Sequence, residues 1–164
     1  MTGISTETQE AVRASLHPEL AARMARVLAA CGGRLVMQSG YRPPAEQARL
    51  YEKGRKVVWS GDWRVMSEIV IDEREIVTNA RPMSSPHNFS PSRAVDCVLN
   101  TAIVKVTTRE GVLDMWCTKT AEARAAWDAY GDAVEAEGLV WGGNFRRRDM
   151  PHAELLDFRS KQWD

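Results

Sequence analysis

The chain has 164 residues, of which 44% are hydrophobic. This is enough for one ordinary core and gives no reason to expect a second, so we predict a single domain over residues 1–164. Its 22 basic and 22 acidic residues cancel, which removes any bulk electrostatic attraction to nucleic acid or to an anionic membrane, and we expect neither as a stable partner.

The N-terminal segment and the cysteines indicate the compartment. The first sixteen residues lack the basic start and the apolar run of a secretory signal peptide. Cys31, Cys97 and Cys117 are an odd number without CxxC spacing, which argues against a disulfide framework and against a thiolate zinc cluster. We therefore expect a protein that is not exported by the general route and that folds in a reducing compartment.

The first part of the chain predicts two helices and a strand. Apolar residues recur at helical spacing over 17–30 and stop at Gly32, with His17 as the helix-start residue. Residues 34–38 predict a short strand, and the prolines of the following SGYRPP oblige the chain to turn before a helix over 45–53. A strand, a turn and a helix in this order commonly present side chains at a site.

Residues 56–81 are an excursion from this pattern. Short runs typical of strands occur at 57–59, 69–71 and 75–77, and Gly61-Asp62 indicates a turn. We predict an inserted hairpin that forms a wall or a lid of a cleft.

The second half predicts a strand at 94–99, another at 103–107, a helix over 118–137 and two final strands at 139–141 and 152–155. The residues that we expect in the core are Ala121, Ala125, Trp127 and Val134 of the helix, together with Trp116 and Trp141. Helices and strands that intersperse without regular βαβ alternation indicate the α+β class.

Candidate chemistry is concentrated around two of the three histidines. His87 precedes the strand residue Asp96, and His152 lies three residues after Asp149 and two before Glu154. Two imidazoles and a carboxylate leave one position of a tetrahedral zinc ion open for water, as in catalytic sites. Taken singly, each of these residues is more often a turn or surface residue. The pattern alone leaves a metal site and ordinary structural roles equally open.

Three segments in a fixed order are more specific. SGYRPPAEQARLYEKGR, VTNARPMSSPHNFSPSRAVD and WGGNFRRRDMPHAEL resemble the SGYRSxxxQ, SxHxxGxAxD and W-GGD-W…D-x-P-H-F-E segments of a zinc peptidase family. This family includes D-alanyl-D-alanine carboxypeptidases and phage L-alanyl-D-glutamate endopeptidases. With their flanks the segments cover roughly residues 17–155. The resemblance implies the fold shared with the hedgehog signalling domain, a single α+β domain with a small antiparallel sheet, flanking helices and a zinc cleft.

The same resemblance implies the roles of individual residues. His87, Asp96 and His152 would bind the zinc ion, Asp149 would be the general base and acid, and Arg42 would bind a substrate carboxylate or the developing oxyanion. Three further residues match positions that line the substrate cleft: Ser85, Gln47 and Tyr41.

Some of these residues have ordinary alternatives. Glu154 is expected to support its neighbouring ligand, and it is also the alternative base. For Arg42 the alternative is a surface ion pair, and for Gln47 and Ser85 it is a helix-surface and a turn role. The run Arg146–Arg148 is typical of a solvated loop, with steering of an anionic wall polymer as the alternative.

The sequence departs from the family pattern at three places. The interval from His87 to Asp96 is nine positions, whereas seven is usual, so we expect residues 90–92 to bulge outward. Ala153 replaces an aromatic residue, and Asn144 stands where Asp is common. None of these changes removes a ligand, but the floor of the cleft is expected to differ.

The Asp-x-Pro-His form of the last segment is closer to the phage endopeptidases. We therefore predict a monomeric endolysin that cuts the peptide stems of peptidoglycan and has no separate wall-binding domain. It would accumulate in the host cytoplasm and reach the wall after release through a separate pore-forming protein. The alternatives are a D,D- or L,D-carboxypeptidase acting on muropeptides, and a non-catalytic binding module that keeps the zinc site.

Overall fold

A four-stranded antiparallel sheet organises the molecule. The structure is a computed structural model that describes residues 3–110 and 112–156, and the ends of the predicted domain lie outside this part of the chain. The strand order is β1-β4-β8-β7, with β1 at Leu35–Ser39, β4 at Ala94–Leu99, β7 at Leu139–Trp141 and β8 at His152–Leu155. The predicted α+β class and antiparallel sheet are confirmed, and so are these four strands, with β1 displaced by one residue.

The helices are α1 (Thr6–Ser15), α2 (Pro18–Ala30), α3 (Pro44–Glu52) and α4 (Ala121–Ala136). The side chain of His17 accepts a hydrogen bond from the backbone N–H of Glu19, which confirms it as the residue that starts α2. Helix α1 was not predicted, because Val12 is its only fully buried residue within the described chain and it leaves almost no apolar stripe to detect. No helix in the described residues is long and apolar enough to cross a bilayer.

Helix α4 buries a different face from the predicted one. Trp127 and Val134 lie in the core as expected, but Ala121 and Ala125 are exposed, whereas Ala123 and Ala126 are buried. The apolar stripe is narrow, and alanine is small enough to occur on either face. The choice between neighbouring alanines therefore depends on packing that the sequence does not show.

The inserted hairpin predicted within 56–81 forms from β2 (Arg55–Trp59) and β3 (Val65–Val70), which pair antiparallel. The strand predicted at 75–77 is wrong, because a short 3₁₀ turn over Glu73–Glu75 occupies this place. The strand predicted at 103–107 is also wrong. There the chain turns after Asn100, whose carbonyl accepts from the backbone N–H groups of Ile103 and Val104. A separate hairpin follows, made of β5 (Thr108–Arg109) and β6 (Val112–Leu113).

The tryptophans divide between core and surface. Trp127 is fully buried, and Trp141 packs against the core with part of its ring exposed. The expectation that Trp116 lies in the core is wrong, because it is 49% exposed. It follows the β5–β6 hairpin, and its backbone N–H bonds to the side chain of Asp114. This turn holds the ring at the surface.

Candidate metal centre and catalytic cleft

The sheet brings polar residues of three strands into one row. In the strand register Asp96 of β4 lies opposite Ser39 of β1 on one side and opposite His152 of β8 on the other. His87 comes from a 3₁₀ turn over Pro86–Asn88, just before β4. Side chains of directly paired residues lie side by side on one face of a sheet. The two histidines and the carboxylate, 65 residues apart at most in sequence, therefore converge.

Three atoms of these residues form a nearly equilateral triangle. The separation of His87 Nε2 and His152 Nδ1 is 3.3 Å, and each of these nitrogens lies 3.3 Å from Asp96 Oδ1. A tetrahedral zinc ion with bonds of about 2.0–2.1 Å separates its ligand atoms by about 3.3–3.4 Å. The triangle therefore has the size of one face of a zinc coordination tetrahedron.

Hydrogen bonds on the far side of each imidazole fix which nitrogen faces the triangle. His87 Nδ1 lies 2.7 Å from the carbonyl of Gly40, and His152 Nε2 lies 2.8 Å from Glu154 Oε2. When these outer nitrogens donate to their acceptors, the inner ones carry lone pairs directed at Asp96. Three lone-pair atoms that converge in this way offer the donor set of a metal ion. The residues present thus fit a metal ion.

Asp96 is oriented by its second oxygen. Its Oδ2 accepts from Ser39 Oγ at 3.0 Å and from the Arg42 guanidinium at 3.3 Å, which leaves Oδ1 for the histidines. Burial by itself raises the pKa of Asp96, but the adjacent charge of His87 and hydrogen bonds from His152 and His87 outweigh it and hold that pKa well below the usual range. The carboxyl is therefore ionised and ready to bind a cation.

The pKa of His152 shifts in the opposite direction to that of Asp96. Burial lowers the pKa of His152, but hydrogen bonds to Asp96 and Glu154 and the charges of these carboxylates raise it to about 10. Two carboxylates thus face one imidazole in a buried setting. This surplus of negative charge also favours a cation at the centre.

The longer loop between His87 and Asp96 bulges as predicted at Ser90 and Pro91, which are exposed, but Ser92 is buried. Helix α1 explains this difference. The Ser92 N–H donates to the carbonyl of Ser15 at 2.8 Å, and the His17 N–H donates to the carbonyl of Ser92 at 2.7 Å. The end of α1 therefore fastens the loop immediately before β4, and the two extra residues do not displace Asp96.

Asp149 and Glu154 lie beside the triangle in a cleft of about 600 Å³ that also contains Arg42, Ser85 and Trp116. Asp149 keeps an exposed edge at the mouth of this cleft. The surrounding protein nevertheless withdraws its carboxyl from water, and this desolvation, together with the charge of Asp96, raises its pKa. A carboxyl with a raised pKa next to a metal centre is suited to accept and return a proton near neutral pH.

The loop that carries Asp149 packs closely against Gly142. A methyl group at Gly142 would lie 2.4 Å from the Asp149 carbonyl oxygen and 2.8 Å from His152 Cβ, so only glycine lets the loop close this tightly. The Trp141 indole N–H donates to the carbonyl of Met150 at 2.9 Å, and the Tyr130 hydroxyl contacts the carbonyl of Pro151 at 3.1 Å. These contacts fix Asp149 and His152 relative to each other.

Part of the chain is similar to a known protein family. A sequence profile of the family described as D-alanyl-D-alanine carboxypeptidase matches residues 78–155. The matched part contains His87, Asp96 and His152, the three residues that can hold a metal ion. The chain is similar to this peptidase family over that range, which is a little less than half of its length. This similarity confirms the family resemblance that the three sequence segments suggested.

A solved structure has the same fold as this chain. It is the crystal structure of the L-Ala D-Glu endopeptidase ChiX of Serratia marcescens, with a TM-score of 0.51 and 20% sequence identity. The similarity extends over 96% of this chain and 93% of the other. Two proteins with such low identity share their architecture, so the comparison supports the fold of the whole chain.

The four other candidate site residues, Arg42 among them, occupy different places. Ser85 is buried, lines the cleft and accepts from the His87 N–H at 3.3 Å. Gln47 is fully buried behind Arg42, to which its Oε1 is bonded at 3.0 Å, and its amide donates to the carbonyl of Ala80. Tyr41 is 39% exposed and is not among the residues that line the cleft. The structure thus brings Arg42 and Ser85 to the metal centre, places Gln47 one contact away and leaves Tyr41 outside.

Gly40 is a positioning residue that the sequence reasoning missed, although it belongs to the SGYR segment. Its carbonyl accepts from His87, and its backbone packs against the end of α1. A methyl group there would lie 2.4 Å from Ser15 Oγ and 2.8 Å from Leu16 Cδ2. The glycine therefore joins α1 to the first metal-binding histidine.

Gly40→Ala is expected to lower zinc affinity by about 10–100-fold, because the carbonyl that orients His87 must move. The overlap should also cost roughly 1–3 kcal/mol of folding free energy. Zinc titration and thermal unfolding measure the two effects. Gly61→Ala is the matched control, since nothing lies within 4 Å of the added methyl group. Wild-type zinc affinity in Gly40→Ala would contradict the positioning role.

Proposed function

We propose that this protein is a zinc-dependent endopeptidase that cuts the peptide stems of bacterial peptidoglycan between L-alanine and D-glutamate. The observation that carries the proposal is the triangle of His87 Nε2, Asp96 Oδ1 and His152 Nδ1, each 3.3 Å from the others, with Asp149 in the same open cleft. The family match supports peptidase chemistry. The fold similarity to an L-Ala D-Glu endopeptidase supports the choice of bond.

The residues divide the reaction between them. A zinc ion held by His87, Asp96 and His152 would supply a Lewis acid that polarises the peptide carbonyl and lowers the pKa of water to about 7. Asp149 accepts a proton from the attacking water at a carboxylate oxygen and then delivers it to the nitrogen of the leaving amine. Arg42 stabilises Asp96 through its guanidinium, and because its side chain lines the cleft, its positive charge lies close to where negative charge develops.

The shape of the cleft favours an endopeptidase over a carboxypeptidase. Two further depressions adjoin the cleft, one lined by Gln38, Trp116 and Met150 and the other by Thr78 and Phe145. An enzyme that removes a terminal residue needs a closed end at the chain terminus, whereas an internal bond requires substrate on both sides. A D,D- or L,D-carboxypeptidase is the second candidate, because the matched family is described by that type of activity.

We further propose that the protein is a phage endolysin that accumulates in the host cytoplasm and reaches the wall through a separate pore-forming protein. Cys31, Cys97 and Cys117 are all free and buried. Unpaired thiols of this kind are typical of proteins that fold under reducing conditions. This agrees with folding in the cytoplasm before release.

Digestion of purified sacculi tests the activity, with metal content measured on the same preparation. The expected result is about one zinc ion per chain and new N-terminal D-glutamate in the digested wall, with no free D-alanine. Free D-alanine without new N-termini would instead establish the carboxypeptidase. A zinc-loaded protein that binds sacculi but hydrolyses nothing would support a non-catalytic binding module. Apoprotein treated with a chelator is the matched negative control.

A further inference from the structure

A second depression, which we call the arginine groove, opens beside the catalytic cleft. It has a volume of about 740 Å³ and lies between the 74–79 segment, after the inserted hairpin, and the loop that precedes Asp149. Four arginines line it, against the single carboxylate of Asp149: Arg74, Arg146, Arg147 and Arg148. A neutral protein thus concentrates positive charge in one concave surface.

The arginine groove is continuous with the catalytic cleft. Val77, Thr78, Phe145 and Asp149 line both depressions. The Phe145 ring lies 5.6 Å from the ring of His152, so it lies at the boundary between the metal centre and the groove. A substrate that extends from the metal centre past Phe145 therefore enters the field of the arginines.

Two of the arginines build the groove and two are free to bind. Arg147 donates to the carbonyl of Ile76, which joins the two walls, and Arg74 forms a two-point ion pair with Asp72. Arg146 and Arg148 are exposed, and neither has an ion-pair partner within residues 3–110 and 112–156. A guanidinium without a partner in a concave site binds carboxylates well because its planar fork matches their two oxygens.

We propose that the arginine groove binds the carboxylates of the peptide stem on the leaving-amine side of the cut bond. This inference rests on the proposed function. The stem is joined to the glycan through the amide of its first residue, so the L-alanine side of the bond carries no charge. The free carboxylates of the γ-linked D-glutamate and of the residues after it all lie on the other side. Only that half of the substrate complements four arginines.

The assignment fixes the direction of the bound substrate. The D-glutamate half runs over Phe145 into the arginine groove. The L-alanine half, with its neutral sugar, then lies toward the depression lined by Gln38 and the exposed Trp116, which shares only Arg148 and Asp149 with the arginine groove. An aromatic ring with an exposed face suits the apolar face of a sugar. The two ends of the cleft thus match the two chemically different ends of the substrate.

The test compares two soluble peptides, N-acetyl-L-Ala-γ-D-Glu-L-Lys-D-Ala and the same peptide with its D-glutamate and terminal carboxylates amidated. In the Arg146→Gln/Arg148→Gln variant we expect KM for the carboxylate peptide to rise about tenfold with kcat unchanged. KM for the amidated peptide should be high in both proteins and insensitive to the mutations. Arg147 is left in place because it joins the walls of the groove. The control variant Arg13→Gln/Arg64→Gln removes the same charge at exposed positions outside the groove, and wild-type KM is expected.

The outcomes separate this inference from the proposed function. Cleavage of both peptides by the wild type with equal KM, unchanged in the Arg146→Gln/Arg148→Gln variant, would overturn the groove assignment and leave the endopeptidase intact. An equal rise of KM in the control variant would also overturn it, since the effect would then be one of net charge. If the zinc-loaded wild type cuts neither peptide at the L-alanine bond, the proposed function fails and the groove assignment fails with it.

Discussion

Asp149→Asn is expected to lower kcat by about 10²–10⁴-fold and to leave zinc content unchanged. The amide has the shape of the carboxyl but cannot accept a proton from water and return it to an amine. Asp149 contributes no atom to the metal-binding triangle, so the ion should remain bound. Initial rates on N-acetyl-L-Ala-γ-D-Glu-L-Lys-D-Ala, with zinc measured by mass spectrometry on the same samples, give both quantities.

Glu154→Gln is the matched comparison, because it neutralises the other carboxylate of the cleft. Glu154 accepts from His152 at 2.8 Å, and a glutamine oxygen can accept the same bond. The expected defect is a zinc affinity lowered by about 10–100-fold, with most activity recovered at saturating zinc. The reverse pattern, in which Glu154→Gln stays inactive at saturating zinc while Asp149→Asn retains its activity, would make Glu154 the base.

The three residues that can hold a metal ion were predictable from the sequence because the supporting pattern is local. Residues 94–99 are a short apolar run with Asp96 facing the site, and in residues 152–155 the site residues His152 and Glu154 alternate with apolar ones. Both segments form strands at the predicted bounds. Once β4 and β8 pair antiparallel, Asp96 and His152 must be neighbours. The three segments also occur in the order of the family they resemble, and this supported the assignment of His87.

What the sequence could not supply depends on contacts between distant segments. Helix α1 has one buried side chain, yet its last turn binds Ser92 and packs on Gly40. Nothing in the sequence near His87 indicates that its orientation is set by a helix more than 70 residues earlier. The prediction that Trp116 lies in the core was wrong for a related reason. A large aromatic residue is usually buried, and only the β5–β6 hairpin carries this one to the surface.

The role of the run Arg146–Arg148 could not be predicted from the sequence, because it also depends on a distant segment. A sequence of three arginines is ordinary on a solvated loop. Their meaning changes when the fold sets Arg74 and the 76–79 segment opposite them, because the charges then line a groove that opens into the cleft. Concavity is a property of two segments together, and neither segment shows it alone.

His87→Ala is expected to abolish stoichiometric zinc binding and, with it, the stabilisation that zinc provides. A ligand that binds only the folded state at 1,000 times its Kd contributes about 4 kcal/mol. In a domain of this size that raises Tm by roughly 8–16 °C. The wild type should therefore show a large rise in Tm on adding zinc to the apoprotein, and His87→Ala should show almost none. Differential scanning calorimetry with and without zinc measures the difference.

The remaining histidine outside the site provides the control. His17 starts α2 by accepting from the Glu19 N–H, and His17→Asn keeps a side chain that serves this role well. It removes one imidazole from the chain but none from the metal-binding triangle, so the full zinc-dependent rise in Tm is expected. A shift that survives in His87→Ala would mean that zinc stabilises the protein elsewhere, and the triangle would then lose its claim to be the metal centre. Because the apoprotein still holds Asp96 through Ser39 and Arg42, both variants should remain folded, which makes the comparison of their zinc responses decisive.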